Sequence, residues 1–163
     1  MLGIMYRREM NRITLDATDR RILGELQRDA GQGVEALGDR VGLSRNATWR
    51  RVKALDNAGV IKRRVAILDP DALDLGLMVF IQVRTNRHDP DWLDTFAQAT
   101  REMPEILGAY RMTGDLDYLI RARVADMAAY DRLYQRLVRK VEMSDVAASF
   151  VMEELKETTA LPL

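Results

Sequence analysis

The 163-residue sequence predicts an α+β protein, an N-terminal winged helix-turn-helix domain followed by a ferredoxin-like βαββαβ domain. Three observations lead there. Val34 to Lys53 reads as two short helices broken at Gly42-Leu43, and two helices joined by a short Gly-containing turn make a helix-turn-helix unit. Basic residues concentrate in the first half. Beyond residue 76, segments of period two and of period 3.6 follow one another in the order β, α, β, β, α, β.

The elements follow in order. Met1 to Thr14 holds three methionines and scattered arginines without an apolar stretch, so it is expected to be a flexible arm and not a secretory signal, with Met5 and Met10 as alternative starts. Asp16 is placed to cap a first helix, Asp19 lies at the positive end of its dipole, and Ile22, Leu23 and Leu26 share its apolar face. A second helix spans about Val34 to Val41 and stops at Gly42. Gly33 and Gly38 each weaken it by roughly 1 kcal/mol relative to Ala, so packing must hold it. Ser44 caps a third helix that runs to about Asn57 and ends at Gly59.

Val60 to Leu68 alternates loosely and closes at Asp69-Pro70, which predicts a strand and a turn. It reads equally as a plain connecting strand or as a wing touching phosphates through Lys62, Arg63 and Arg64. The domains are therefore expected at 15–62 and 76–163, joined by a linker over 63–75. In the second domain, Leu77 to Thr85, Ile106 to Met112, Tyr118 to Val124 and Val146 to Leu155 are strand-like. Asp91 to Glu102 and Met127 to Val141 have helical spacing. With both helices on one side of the sheet, the other side needs a cover, and self-association is the simplest one.

Net charge is zero, an average over two unlike halves. Residues 1–69 carry 14 Lys/Arg against 9 Asp/Glu, a net +5, and residues 70–163 carry 11 against 16, a net −5. Such asymmetry points to a polyanionic partner for the first half only. The absence of cysteine excludes disulfides and thiolate chemistry, and the single His88, in a polar stretch, leaves little for acid–base catalysis. No apolar run approaches the ~18 residues of a membrane span. A soluble cytoplasmic protein that is not an enzyme, without metal or cofactor, is the expectation.

On a 100° wheel, Thr48, Val52 and Leu55 of the third helix point inward, with Ser44 near the edge, whereas Asn46, Arg50, Lys53 and Asn57 point outward and Trp49 flanks them. Asn pairs with adenine and Arg with guanine in the major groove, so Asn46 and Arg50 are candidate base readers. Ser44, Arg45 and Lys53 suit phosphates, and Trp49 suits a thymine methyl or a sugar. Asp115 and Asp117 lie two apart between strands; on spacing alone a hairpin turn is more probable than catalysis.

Read together, these residues resemble the Lrp/AsnC family of leucine- and asparagine-responsive transcription regulators, from Leu15 to Leu163. The resemblance lies in Leu15-Asp16-x-x-Asp19-Arg20-x-Ile22-Leu23 with Leu26-Gln27, in Val41-Gly42-Leu43-Ser44, and in Arg51-Val52-Lys53-x-Leu55 with Gly59-Val60-Ile61. It continues through Leu68-Asp69-Pro70, Met103-Pro104-Glu105, Thr113-Gly114-Asp115-x-Asp117-Tyr118-Leu119, Asp126-x-x-x-Tyr130 and the tail Lys156-x-Thr158-Thr159-x-Leu161-Pro162-Leu163. Each piece is weak; their order and spacing are specific.

The resemblance implies that the helix-turn-helix binds double-stranded DNA. It also implies that the second domain binds a small effector, usually an amino acid, and builds homodimers that assemble further, often into octamers. Met112, Thr113, Gly114, Asp115, Asp117 and Tyr118 match the family's effector-contact loop. The sequence departs from the family pattern at Val141-Glu142-Met143, where Pro-Gly-Val is frequent, at Thr48, where Val is usual, and at Gly38, where Ala is usual. The functional expectation is a sequence-specific transcriptional regulator answering to an amino acid. An architectural, nucleoid-type DNA-wrapping protein without an effector is the alternative.

Overall fold

The computed structural model describes residues 14–163, so the arm expected over Met1 to Thr14 lies almost wholly outside the described residues. The chain forms two compact units. Residues up to Ala66 make one together with Lys156–Leu163, and Ile67–Leu155 make the other.

The first unit contains α1 (Ala17–Arg28), α2 (Val34–Val41) and α3 (Arg45–Asn57). A reciprocal box starts α1: the Asp19 amide donates to the Asp16 carboxylate at 2.7 Å and the Asp16 amide to the Asp19 carboxylate at 3.2 Å. Gly42 ends α2 in the left-handed region at φ 72°, a conformation that disfavours residues with a Cβ. Ile22, Leu23, Leu37, Val41 and Leu55 form the core, with Leu15, Leu26, Leu43, Val52, Val60 and Ile61 packed around it. Burying each of the five core side chains contributes about 1.5–3 kcal/mol.

Gly38 has a reason to lack a side chain. A Cβ there would meet the Leu43 carbonyl oxygen at 2.7 Å and Thr48 Oγ1 at 3.0 Å. The α2–α3 turn thus closes onto the second helix at this glycine, and the lower helix propensity accompanies the close approach.

The strand expected over Val60 to Leu68 does not form. Val60 and Ile61 instead fold back so that both amides reach the Leu55 carbonyl, at 3.1 and 3.5 Å. Residues 62–69 are irregular and exposed. A strand exists only through a ladder partner, and this segment has none among the described residues.

The tail is the other departure from the expected boundaries. The Gln27 side-chain amide on α1 donates to the Leu161 carbonyl at 3.1 Å and accepts from the Leu161 amide at 2.6 Å. One amide side chain thus satisfies both backbone groups of a residue 134 positions away.

The second unit has β1 (Leu77–Arg84), α4 (Pro90–Glu102), β2 (Ile106–Arg111), β3 (Tyr118–Val124), α5 (Met127–Lys140) and β4 (Asp145–Phe150). The four strands form one antiparallel sheet in the order β2-β3-β1-β4, the ferredoxin-like arrangement expected. β4 stops at Phe150, short of the expected Leu155. Asp89 caps α4 by accepting from the Trp92 amide at 2.9 Å, with Pro90 in the first turn, and Asp126 caps α5 by accepting from the Ala129 amide at 2.7 Å.

Alternation divides the sheet. Val79, Ile81, Val83, Ile120, Ala122 and Val124 pack with Trp92, Phe96, Leu133 and Leu137 in the core. On the opposite face the registers align Tyr110, Leu119, Gln82 and Ala147 in one row and Gly108, Arg121, Phe80 and Ser149 in the next. That face is half-exposed and only partly polar.

Candidate functional site

The outward face of α3 is assembled from its buried one. Ser44 accepts from the Ala47 amide through its hydroxyl, and its carbonyl accepts both the Thr48 amide at 2.9 Å and the Thr48 hydroxyl at 3.0 Å. Thr48 and Leu55 are sealed in the core, which fixes the rotation of the helix. Arg45, Asn46, Arg50 and Lys53 are consequently exposed, and Trp49 is 58% exposed. None of these five side chains has a hydrogen bond or ion pair among the described residues, so their donors are available to a ligand.

Arg51 belongs to a different task. Its Nη1 lies 2.8 Å from a carboxylate oxygen of Asp16 and 2.8 Å from one of Asp19. The Asp19 amide first, then this guanidinium, hold the Asp16 carboxyl below the usual carboxylate range. Asp19 and then Asp16 in turn raise the Arg51 pKa. Arg51 therefore locks α3 to the start of α1. Among the residues expected in a wing, Lys62, Arg63 and Arg64 are exposed, and Arg64 is held 3.2 Å from Asp56.

In the second unit, five of the six residues matched to an effector loop lie in the β2–β3 hairpin loop, and the sixth, Tyr118, begins β3. The Met112 amide donates to the Asp117 carbonyl at 2.8 Å, and the Asp117 amide to the Val83 carbonyl at 3.1 Å. Asp117 Oδ2 accepts from the Thr85 amide at 2.9 Å. That bond joins the hairpin to the end of β1. Met112, Thr113, Gly114 and Asp115 are exposed, and the Asp115 carboxylate has no hydrogen bond or ion pair among the described residues.

Tyr118 sits elsewhere than at the loop surface. It is 5% exposed, with its ring 5.4 Å from Trp92 and 4.6 Å from Phe96. Its parity in β3 matches that of Ile120 and Ala122, which face the core. The tyrosine anchors the loop's C-terminal end. It also forms part of the wall of an open groove of about 440 Å³ with Leu93, Phe96, Ile106, Leu107 and Arg111.

One residue at this site carries no motif. Arg84, the last residue of β1, donates from Nε to the Asp115 carbonyl at 2.9 Å and from Nη1 to Asp145 Oδ2 at 3.1 Å. The register sets Arg84 opposite Asp145. Only knowledge of strand pairing reveals it, since the three segments are far apart in sequence.

His88 is exposed, beside an Arg87–Asp89 pair with bonds of 3.0 and 3.1 Å. Among the described residues no group of His, Asp and Glu is placed to hold a metal ion, and no helix is long and apolar enough to cross a membrane.

Comparison with known proteins agrees with this geometry. Residues 15–56 match the AsnC-type helix-turn-helix domain and residues 78–161 the Lrp/AsnC ligand binding domain. A glutamate uptake regulatory protein of Zymomonas mobilis is 49% identical over 91% of this chain and 91% of its own. The DNA-binding transcriptional activator DecR of Escherichia coli is 44% identical over 91% of this chain and 99% of its own. A transcriptional regulator of Neisseria meningitidis, solved as a complex with L-Met, superposes with a TM-score of 0.88 at 38% identity, covering 91% of this chain and 97% of that one.

Proposed function

The chain belongs to the Lrp/AsnC family of helix-turn-helix transcriptional regulators, and on that premise we propose how it reads DNA and what controls the reading. Asn46 and Arg50 read base edges in the major groove, Ser44, Arg45 and Lys53 hold phosphates, and Trp49 packs on a thymine methyl or a sugar. The observation that carries this is the unpaired, exposed outer face of α3 opposite a sealed inner one. The protein acts in the cytoplasm as a homodimer that assembles further. The dimer sets two recognition helices about one turn of duplex apart, roughly 34 Å.

Control comes from an amino acid bound at the loop Met112–Asp117, with Thr113, Gly114 and Asp115 as its contacts and Tyr118 as the anchor beneath. Two features support this. The related Neisseria regulator was solved with L-Met, and an exposed loop with an unpaired carboxylate beside a partly apolar groove suits a zwitterion with an apolar side chain. An effector changes transcription only by binding one arrangement of the dimers better than another.

A thermal-shift screen of the twenty amino acids tests the reading. A true effector at 100 times its Kd stabilises the native protein by about 2.7 kcal/mol. The same compound must also shift operator binding measured by fluorescence anisotropy. A steep salt dependence with no response to any amino acid would favour an architectural DNA-wrapping role.

A further inference from the structure

We propose that Arg84 recognises the carboxylate of the bound effector and holds the effector loop in its receiving shape. The inference rests on reading Met112–Asp117 as the effector loop, and it names the group that reading lacks: a cation for the ligand's negative end.

A guanidinium carries five N–H groups in a planar fork. Arg84 commits one, on Nε, to the Asp115 carbonyl and one, on Nη1, to Asp145. Three remain, on a side chain that is 52% exposed. Their geometry matches a carboxylate, which the fork binds through two parallel bonds.

Position supplies the rest. Because Arg84 grips Asp115 by its backbone carbonyl, the Asp115 carboxylate is left without a partner on the same exposed loop. Spare donors on a cation and a free anion are therefore presented by directly bonded residues. That is the charge pattern of an α-amino acid read from outside, ammonium towards Asp115 and carboxylate towards Arg84. Asp117 is the less free of the two carboxylates, since one of its oxygens already accepts from the Thr85 amide. Asp145 is then a resident competitor, a carboxylate already resting 3.1 Å from the guanidinium. An arriving ligand shares or displaces it, which links binding to the start of β4.

The test uses the full-length chain, an L-amino acid that stabilises the wild type in the twenty-compound screen, and that amino acid's primary amide as a probe lacking the negative charge. Calorimetry on the wild type is expected to show the amide binding about 10- to 100-fold more weakly than the acid, the range for a lost charged hydrogen bond. Arg84→Met is expected to bring acid and amide to equal affinity. Arg84→Lys, which keeps the charge without the fork, is expected to recover part of the difference. Asp145→Asn is expected to tighten binding of the acid several-fold and leave the amide unchanged; it also preserves the test if Arg84→Met disturbs the loop.

An acid-to-amide ratio in Arg84→Met equal to the wild-type ratio overturns the role of Arg84 and leaves the effector loop standing. Weaker acid binding by Asp145→Asn overturns it too. If no amino acid stabilises the wild type, the effector reading falls, and this inference with it.

Discussion

Nη1 of Arg51 lies 2.8 Å from Oδ1 of Asp19, so one of the four cations on α3 faces the protein and not a duplex. Neighbouring arginines on one helix thereby acquire separate duties. Arg50→Ala is expected to cost about 1–3 kcal/mol at the cognate site and to relax the preference for one base. Arg51→Ala is expected to lower the melting temperature of the first unit while leaving base preference as it was. Anisotropy titrations against an operator series at fixed salt, beside thermal melts, separate the two. Equal losses on operator and random DNA for Arg50→Ala would reduce that residue to a phosphate contact.

Acid titration probes the same corner. The Asp16 carboxyl is held below its ordinary value, so its stabilising contribution is fully present above the unfolded carboxylate pKa near 4. It disappears as pH falls through the lower folded value. Urea midpoints of the wild type are expected to drop below about pH 4, and Asp16→Asn is expected to flatten that part of the curve. A mutant whose midpoints fall in parallel with the wild type would place the acid sensitivity elsewhere.

Trp49 offers a direct optical reading. It is 58% exposed whereas Trp92 is 3% exposed. Trp92 also donates through Nε1 to the Glu142 carbonyl at 2.6 Å, so Trp92→Phe gives up that bond, about 1 kcal/mol, together with the packing of the lost ring atoms, and leaves one tryptophan emitter, on the exposed face of α3. Addition of operator duplex is expected to shift that emission to the blue and to reduce acrylamide quenching severalfold. Emission indifferent to DNA would remove Trp49 from the interface.

The sheet face away from the helices gives a test of assembly. Leu119 and Tyr110 pair across β2 and β3 on the side away from the helices. If a second copy covers that side through a two-fold contact, Leu119→Glu places two carboxylates at the centre of the interface. Sedimentation equilibrium is then expected to show a smaller particle at micromolar concentration. An unchanged mass would mean that the dimer uses another surface.

What could be read from the sequence had a local cause. The Asp16 cap, the Ser44 cap and the wheel of α3 depend on spacings of three or four residues, and each sits where spacing put it; the reciprocal bond from the Asp16 amide to Asp19 was not read. What escaped depends on pairing. Val60 to Leu68 alternates like a strand, yet alternation supplies no ladder partner. Tyr118 stood within a ligand motif while its parity with Ile120 directed it into the core. Arg84 and Asp145 meet only through the β1–β4 register, and Arg51 meets Asp19 across 32 positions. Gly38 and Thr48 looked like separate weaknesses, but the turn brings them together.

The clip between Gln27 and Leu161 makes the operator-reading module discontinuous along the polypeptide. Trimming the protein to residues 14–66 would strip the first helix of a companion that arrives from 134 positions further along the chain. A minimal reader is better made by splicing Lys156–Leu163 back on through a flexible tether, and comparing its solubility with that of the bare fragment would reveal how much this small fastening matters.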